Sequence, residues 1–600
     1  MIEILILTIK VLFILFFVGY GFTSLFLPNK LRKDAFFIIF WFGIIFSVVL
    51  CVGLTMARIP INQGKYVIFF LSLLLLIYSF IKKKTLPIFS KKNLIISIFV
   101  LISLFFNLYP LITKAGFPTT ISLGNLDPLA YTNVSEYLID HSLIDSRIGL
   151  TAPYKPYLKS VGDLLYYGFR WGSPLFLGFI SNTLGVRSYQ IYYILMTILF
   201  ALTFSLVYLL AKNLLNKENN YLLLIIFLTF GLNSTLLYML YNGFFAQFMF
   251  SGIFALILIF LQSYFSKKKN FTNNFNSYDF LIAIGISSVS SIYSEGMIFI
   301  CFPLVIFFVL KLFNKERIPI LWSLLKILFL AILINPVTFG LAIKWSYGIF
   351  FLAANTTFIG WDKIRYSTPF EMTGFYNTVY YRNFPLWLDV LLAIPVGAIL
   401  LRGLIMIKER VLIISYLVLF GLFYILYYFI FRNYYTHLKT VSYMLFLYSI
   451  VFSVGIIGFL DIFKNKIINL ILITVMVFLS LRSAHRTMSQ LYYHQQAVNK
   501  KIISLSELNS NKDINEPFLT ADLFLGEYDL WTRFWQEYML YNKEVVSRSN
   551  FSSLLNINDM LVLSDKSRQT FDHKTVKYKK VIWENQYYQL GEIEPMKILK

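Results

Sequence analysis

Stretches of 18 or more apolar residues recur along the chain from Ile4 to about residue 483, and this repetition leaves few ways to fold. In a medium without water each segment must satisfy its own backbone hydrogen bonds, so runs of this length become transmembrane helices. Only 14% of the 600 residues are charged, well below what covers a soluble globule. The spacing predicts spans starting near Ile4, Phe36, Tyr66, Leu94, Ile191, Leu222, Phe245, Phe280, Met297, Leu321, Leu388, Leu412, Tyr443 and Ile468. At roughly 20 residues per span, the expected fold class is an α-helical polytopic membrane protein of about 13 to 14 helices. The Ser-rich join at 287–295 is where the count stays open.

Loop charges give the expected orientation, because short cytoplasmic loops collect Lys and Arg. Basic residues gather at 30–33, 82–92, 212–217, 267–269, 311–317, 402–410 and 464–466. The alternate short loops carry only Arg58, Lys65, Arg432 and Lys439. The first set is therefore assigned to the cytoplasm, which places the N-terminus, loops 113–189 and 341–386, and the final segment outside. The net charge of +23 then follows from topology and does not point to nucleic acid as a partner. Both cysteines, Cys51 and Cys301, fall in expected spans, so no disulfide framework or Cys-based metal site is expected.

Four regions follow. Residues 1–112 supply N-terminal helices, and 113–189 form a long outer loop, of the kind that usually carries function. Residues 190–483 make the transmembrane core with outer loop 341–386. From 484 to 600 charge becomes frequent and balanced, and short β-like runs appear at 559–565 and 579–593; a small extracytoplasmic α/β domain is expected. Its segment 529–542, DLWTRFWQEYMLYN, reads as an amphipathic helix with Trp531, Trp535 and Tyr538 on one face. Those rings would pack in the domain or rest at lipid headgroups.

The long loop opens with GNLDPLAYTNVSEYLIDHS (124–142). Asp is a preferred N-cap and Pro is favoured at the first helical position, so Asp127-Pro128 starts a helix on either a structural or a functional reading. Leu129, Val134 and Leu138 fall at helical spacing, toward lipid or protein, in a helix along the outer membrane surface. A carboxylate fixed there is placed to accept a proton from an alcohol brought against the membrane.

A span ending in a long outer loop, an acid at its start, Tyr131 four residues on, a surface helix, and FRWGSPLFLGFISNTLG (169–185) leading into a span resemble the first outer loop of GT-C-type membrane glycosyltransferases. The likeness covers the organisation of residues 94–483. It departs in one respect: the family usually has this loop after its first helix, and here it follows the fourth. The resemblance implies that Asp127 is the catalytic base, or an acceptor or metal contact, with Tyr131 and Glu136 as substrate contacts. It also implies a polyprenyl-phosphate-linked sugar as donor at the outer face, with a glycan, lipid or protein acceptor. A divalent cation, Mg or Mn, is a possible cofactor.

Other candidates join these. Glu295, between two apolar runs with no basic neighbour in sequence, is expected either to line the same cavity as a second catalytic acid or to favour a helix N-terminus. FRNYYTHLKT (431–440) gathers Arg432, His437 and Lys439 in an expected short outer loop. These are donors suited to a lipid-linked phosphate, or anchors at the headgroups. Arg170 and Arg382, set among aromatic residues, are candidates for phosphate binding, and aromatic faces for sugar stacking. The expected function is an inverting membrane glycosyltransferase. The alternatives are a transporter or flippase of lipid-linked sugars, a glycan polymerase or ligase, and a non-catalytic scaffold or sensor.

Overall fold

The computed structural model describes the chain except 145–160, 162–169, 267–274, 356–365, 377–385, 521–529, 547–560, 595–600 and short breaks at 83, 85, 87–89, 216–218, 313–316, 409, 463–464, 512, 515, 542, 567–569, 572–573 and 576. Among the described residues, ten helices are long and apolar enough to cross a membrane, and twelve if two bent pairs each count as one span. A helix lies at every expected span start. The count falls below fourteen because some of these helices are short. Ser277–Ile292 and Met297–Leu310 have 16 and 14 residues, less than the roughly 20 a span needs. They are separated by a single 3-10 turn at Ser294–Gly296.

The bent pairs are Tyr221–Gly231 with Ser234–Tyr241, at 47°, and Ile318–Ile334 with Pro336–Gly348, at 110°. At the second bend Pro336 opens a new helix, Pro336–Asn355, where its missing N–H leaves nothing unsatisfied. Asn335 accepts from the Thr338 amide at 3.3 Å across that start. The expected loop 341–386 thus begins as helix, since its first residues continue the apolar run.

Contacts sort the loops to two ends of the bundle. At one end Lys212 pairs with Asp34 at 3.0 Å, Lys30 reaches Ser266, and the Lys408 amide donates to the Leu214 carbonyl. At the other end the Met1 ammonium donates to the Gly116 carbonyl, Asn62 to Asp140 and Lys65 to Asn182. Among the described residues, the basic segments at 30–33, 212–217 and 402–410 therefore share an end.

Two helix crossings depend on glycine. A Cβ at Gly43 would meet the Leu15 carbonyl oxygen at 2.1 Å, and one at Gly455 the Ile399 oxygen at 2.0 Å. Small residues let backbones approach this closely. Gly455→Ala forces Leu386–Met406 off Tyr434–Ile462 and is expected to lower stability by about 1–3 kcal/mol. Thermal unfolding in detergent checks this against Gly397→Ala, whose Cβ would meet nothing within 4 Å and which is expected to leave the melt in place.

The C-terminal part carries a five-stranded sheet ordered Val545–Val546, Phe518–Thr520, Leu561–Asp565, Tyr588–Ile593, Tyr578–Glu584. Phe518–Thr520 is parallel to both of its neighbours, and the remaining pairs are antiparallel. The helix Leu530–Met539 buries Trp531, Trp535 and Tyr538 in this domain's core, together with Leu129 and Tyr189. The three aromatics share a face as their spacing requires. That face meets protein, which corrects the headgroup alternative.

Candidate functional site

The helix Asp127–Asp140 begins at Asp127 itself, with Pro128 in its first turn and Leu126 before it. No side chain caps it, so the N-cap role open to Asp127 in the sequence is not the one it fills. Its start is fixed from outside. Asn125 accepts from the Asp127 amide at 3.3 Å and donates to the Asn242 carbonyl at 2.8 Å. Gly243, at φ +76°, lies so close that a Cβ would reach Pro128 Cγ at 2.5 Å. Tyr192 donates to the Gly243 carbonyl at 2.6 Å and holds this turn down. Leu129, Val134 and Leu138 are buried against protein.

The Asp127 carboxylate accepts no hydrogen bond among the described residues and is half-buried. One turn on, the buried Tyr131 hydroxyl accepts from Arg170 Nη1 at 2.9 Å. The Arg170 guanidinium also donates through Nε to Glu295 Oε1 at 3.0 Å and through Nη2 to the same oxygen, and it stacks on Tyr293, 4.5 Å from the ring centroid. Arg170 has φ +54°, a left-handed conformation that costs a non-glycine residue of order 1–3 kcal/mol and persists where surroundings over-determine it. Two partners and a ring do so here. Burial opposes the Arg170 charge, yet Glu295 holds the guanidinium well above its ordinary pKa. Burial pushes the Tyr131 phenol up, with Arg170 acting against it.

Glu295 comes from the 3-10 turn between the two short helices, and Arg170 supplies the counter-charge that lets an acid sit at this depth. Lys439 arrives from the second turn of Tyr434–Ile462, is buried, and donates to the Tyr293 hydroxyl at 3.2 Å. Its ammonium lies 4.9 Å from the Phe244 ring centroid and 5.2 Å from that of Tyr435. Tyr293 in turn bonds the Tyr443 hydroxyl. The Asp127 charge acts on Tyr131, Tyr192, Tyr435 and Lys439. Two acids, two cations and a ring of tyrosines thus converge at the end of the bundle that carries the long loop and the C-terminal domain.

Asp127, Tyr131, Arg170, Glu295 and Lys439 are therefore brought together, and the other candidates are not. Glu136 faces the C-terminal domain, accepting from the Ser188 amide at 2.6 Å and the Tyr538 hydroxyl at 3.0 Å. Arg432 is exposed at φ +49°. His437 is fully buried among Tyr366, Tyr424 and Tyr428. Arg382 lies outside the described residues. The segment 431–440, expected as a loop, is helical from Tyr434, with Asn433 accepting from the Thr436 amide at 3.1 Å. On a helix Tyr435, Lys439 and Tyr443 stand one turn apart on one face and His437 on another. Sequence reasoning missed Tyr435 and Tyr443 because it started this span at Tyr443, and Tyr293 because attention fell on its charged neighbour.

A divalent cation fits this donor set poorly. Among the described residues no group of three or more His, Cys, Asp or Glu could hold a metal ion. Glu295 Oε1 is taken by Arg170, and Lys439 adds a second positive charge within electrostatic reach of Asp127. Hard cations want several oxygen ligands and no such neighbours. No family model and no curated protein matches the chain.

Proposed function

We propose that this protein is an integral membrane glycosyltransferase of the GT-C kind, which takes a sugar from a polyprenyl-phosphate carrier at the outer face of the cytoplasmic membrane. One observation carries the reading: an open carboxylate, Asp127, lies within electrostatic reach of a buried lysine, Lys439, at a site that also holds the buried Arg170–Glu295 pair. The acceptor hydroxyl attacks the anomeric carbon while Asp127 takes its proton. The anomeric C–O bond breaks with its electron pair going to the phosphate oxygen, and the carrier phosphate leaves. Attack opposite the leaving group inverts the anomeric centre. Lys439, desolvated and aimed by Tyr293, faces the charge that grows on the phosphate, where a preorganised cation is most effective. The acceptor is a glycan, lipid or protein. The outer location follows from the loop charges.

The test supplies membranes containing the protein with labelled polyprenyl-phosphate sugar and follows label into endogenous acceptors. Lys439→Met is expected to lower transfer by about 10²–10³-fold, the loss typical of one transition-state donor. Unchanged transfer in that variant removes the lysine from the mechanism.

The second reading, a transporter or flippase of lipid-linked sugars, is favoured by the two broken spans, since transporters build sites from discontinuous helices. In sealed vesicles it would move label across the bilayer and form no new glycosidic bond.

A further inference from the structure

The helix carrying Asp127 is gripped by the C-terminal domain on both sides of the carboxylate. Upstream, Ile121 and Ser122 pair antiparallel with Ala497 and Gln496, Thr119 Oγ1 donates to the Val498 carbonyl at 2.6 Å, and the Val498 amide donates to the Thr120 carbonyl at 3.0 Å. Downstream, Leu129 is buried in the C-terminal core, and Glu136 on the same helix accepts from Tyr538 at 3.0 Å. The Arg187 guanidinium completes the junction, 3.2 Å from Glu136 and stacked on Tyr538. The other face of the helix rests on the membrane core, where Ser135 and Ser188 share a hydrogen bond of 2.7 Å. Asp127 itself accepts no hydrogen bond among the described residues, so its position relative to Lys439 is set by what holds the backbone on either side of it: the Asn242–Gly243 turn of the membrane core at the helix start, and the C-terminal domain flanking it.

We propose that the C-terminal domain is the clamp that positions Asp127, with Glu136 and Tyr538 as positioning residues and the junction between them as its adjustable contact. This rests on the reading of Asp127 as the base. The acidic side chain of Glu136 is then committed to holding two parts of the protein together and does not touch sugar or phosphate. A displacement of the base by about 1 Å is enough to reduce turnover up to 100-fold without altering substrate binding.

The test uses the full-length protein in detergent and in membranes, with Tyr538→Phe, which keeps the buried ring and removes only the hydroxyl, and Glu136→Gln. Hydrogen–deuterium exchange, measured without substrate, is expected to rise across 119–140 in both variants while the core helix Ser188–Leu215 keeps its protection. In the transfer assay kcat is expected to fall about 10-fold or more with KM unchanged in both variants. A raised KM with kcat unchanged makes Glu136 a substrate contact and overturns the proposal. So does unchanged exchange in 119–140. If exchange rises while Asp127→Asn retains full transfer, the domain still holds the helix and the reading of Asp127 as the base falls, so the two failures are told apart.

Discussion

Asp127→Asn is expected to abolish most transfer, lowering kcat and kcat/KM together by about 10²–10⁴-fold, the contribution of a positioned general base. Asparagine is nearly isosteric but cannot take a proton. The carboxylate neither caps its helix nor accepts a hydrogen bond among the described residues, so the same variant is expected to keep its stability within about 0.5 kcal/mol of the parent. Activity lost with the melting curve in place is the signature sought in the labelled-sugar assay. A variant that transfers sugar at the parental rate ends the role of Asp127 as base. Labelling of a cysteine placed at 127 with an impermeant reagent adds an independent arm, since reaction from the cytoplasmic side alone is incompatible with an outer-face site.

Glu295→Leu is expected to produce the opposite pattern, with stability falling first. The pair it breaks is buried, with side-chain exposure of 11% for Arg170 and 6% for Glu295. Removing one partner of such a pair leaves an uncompensated charge out of water, which costs about 3–5 kcal/mol. The attraction between the two groups is not itself the source of stability, because each was desolvated to form the pair. The double variant Arg170→Met with Glu295→Leu is therefore expected to recover much of the stability, as apolar replacement of both partners commonly does. Transfer is not expected to return with it, since Tyr131 and Tyr293 lose the guanidinium that orders them. Chemical unfolding of the three proteins in detergent reads the first expectation and the transfer assay the second. A single variant as stable as the parent shows that Arg170 finds another counter-charge and that the pair does not organise the site.

The start of nearly every helix was legible from where apolar runs begin, but the lengths and bends were not. Pro336 divides an apolar stretch that hydropathy reads as continuous, and the two runs that meet at Ser294–Gly296 are shorter as helices than a full span, because a bend is set by a few backbone angles and leaves composition unchanged. The same cause hid part of the site. Lys439 was visible as a cation against the charge pattern, while its neighbours Tyr435 and Tyr443 became neighbours only through the helical start at Tyr434. Glu136 and His437 carry the residue types a site would use, and packing directs one to the C-terminal domain and the other into a tyrosine cluster.

Composition and period by themselves determined that this is a multi-pass membrane protein, roughly where its helices begin, and which loops gather at each end of the bundle. These properties follow from transfer of each local segment between water and lipid and need no knowledge of distant residues. The tertiary structure decided which charges meet. Arg170 and Glu295 are 125 positions apart, and each is tolerable in its buried place only because the other is there. Such mutual dependence belongs to the packed chain, since neither burial nor pairing exists for either residue until the helices between them have assembled.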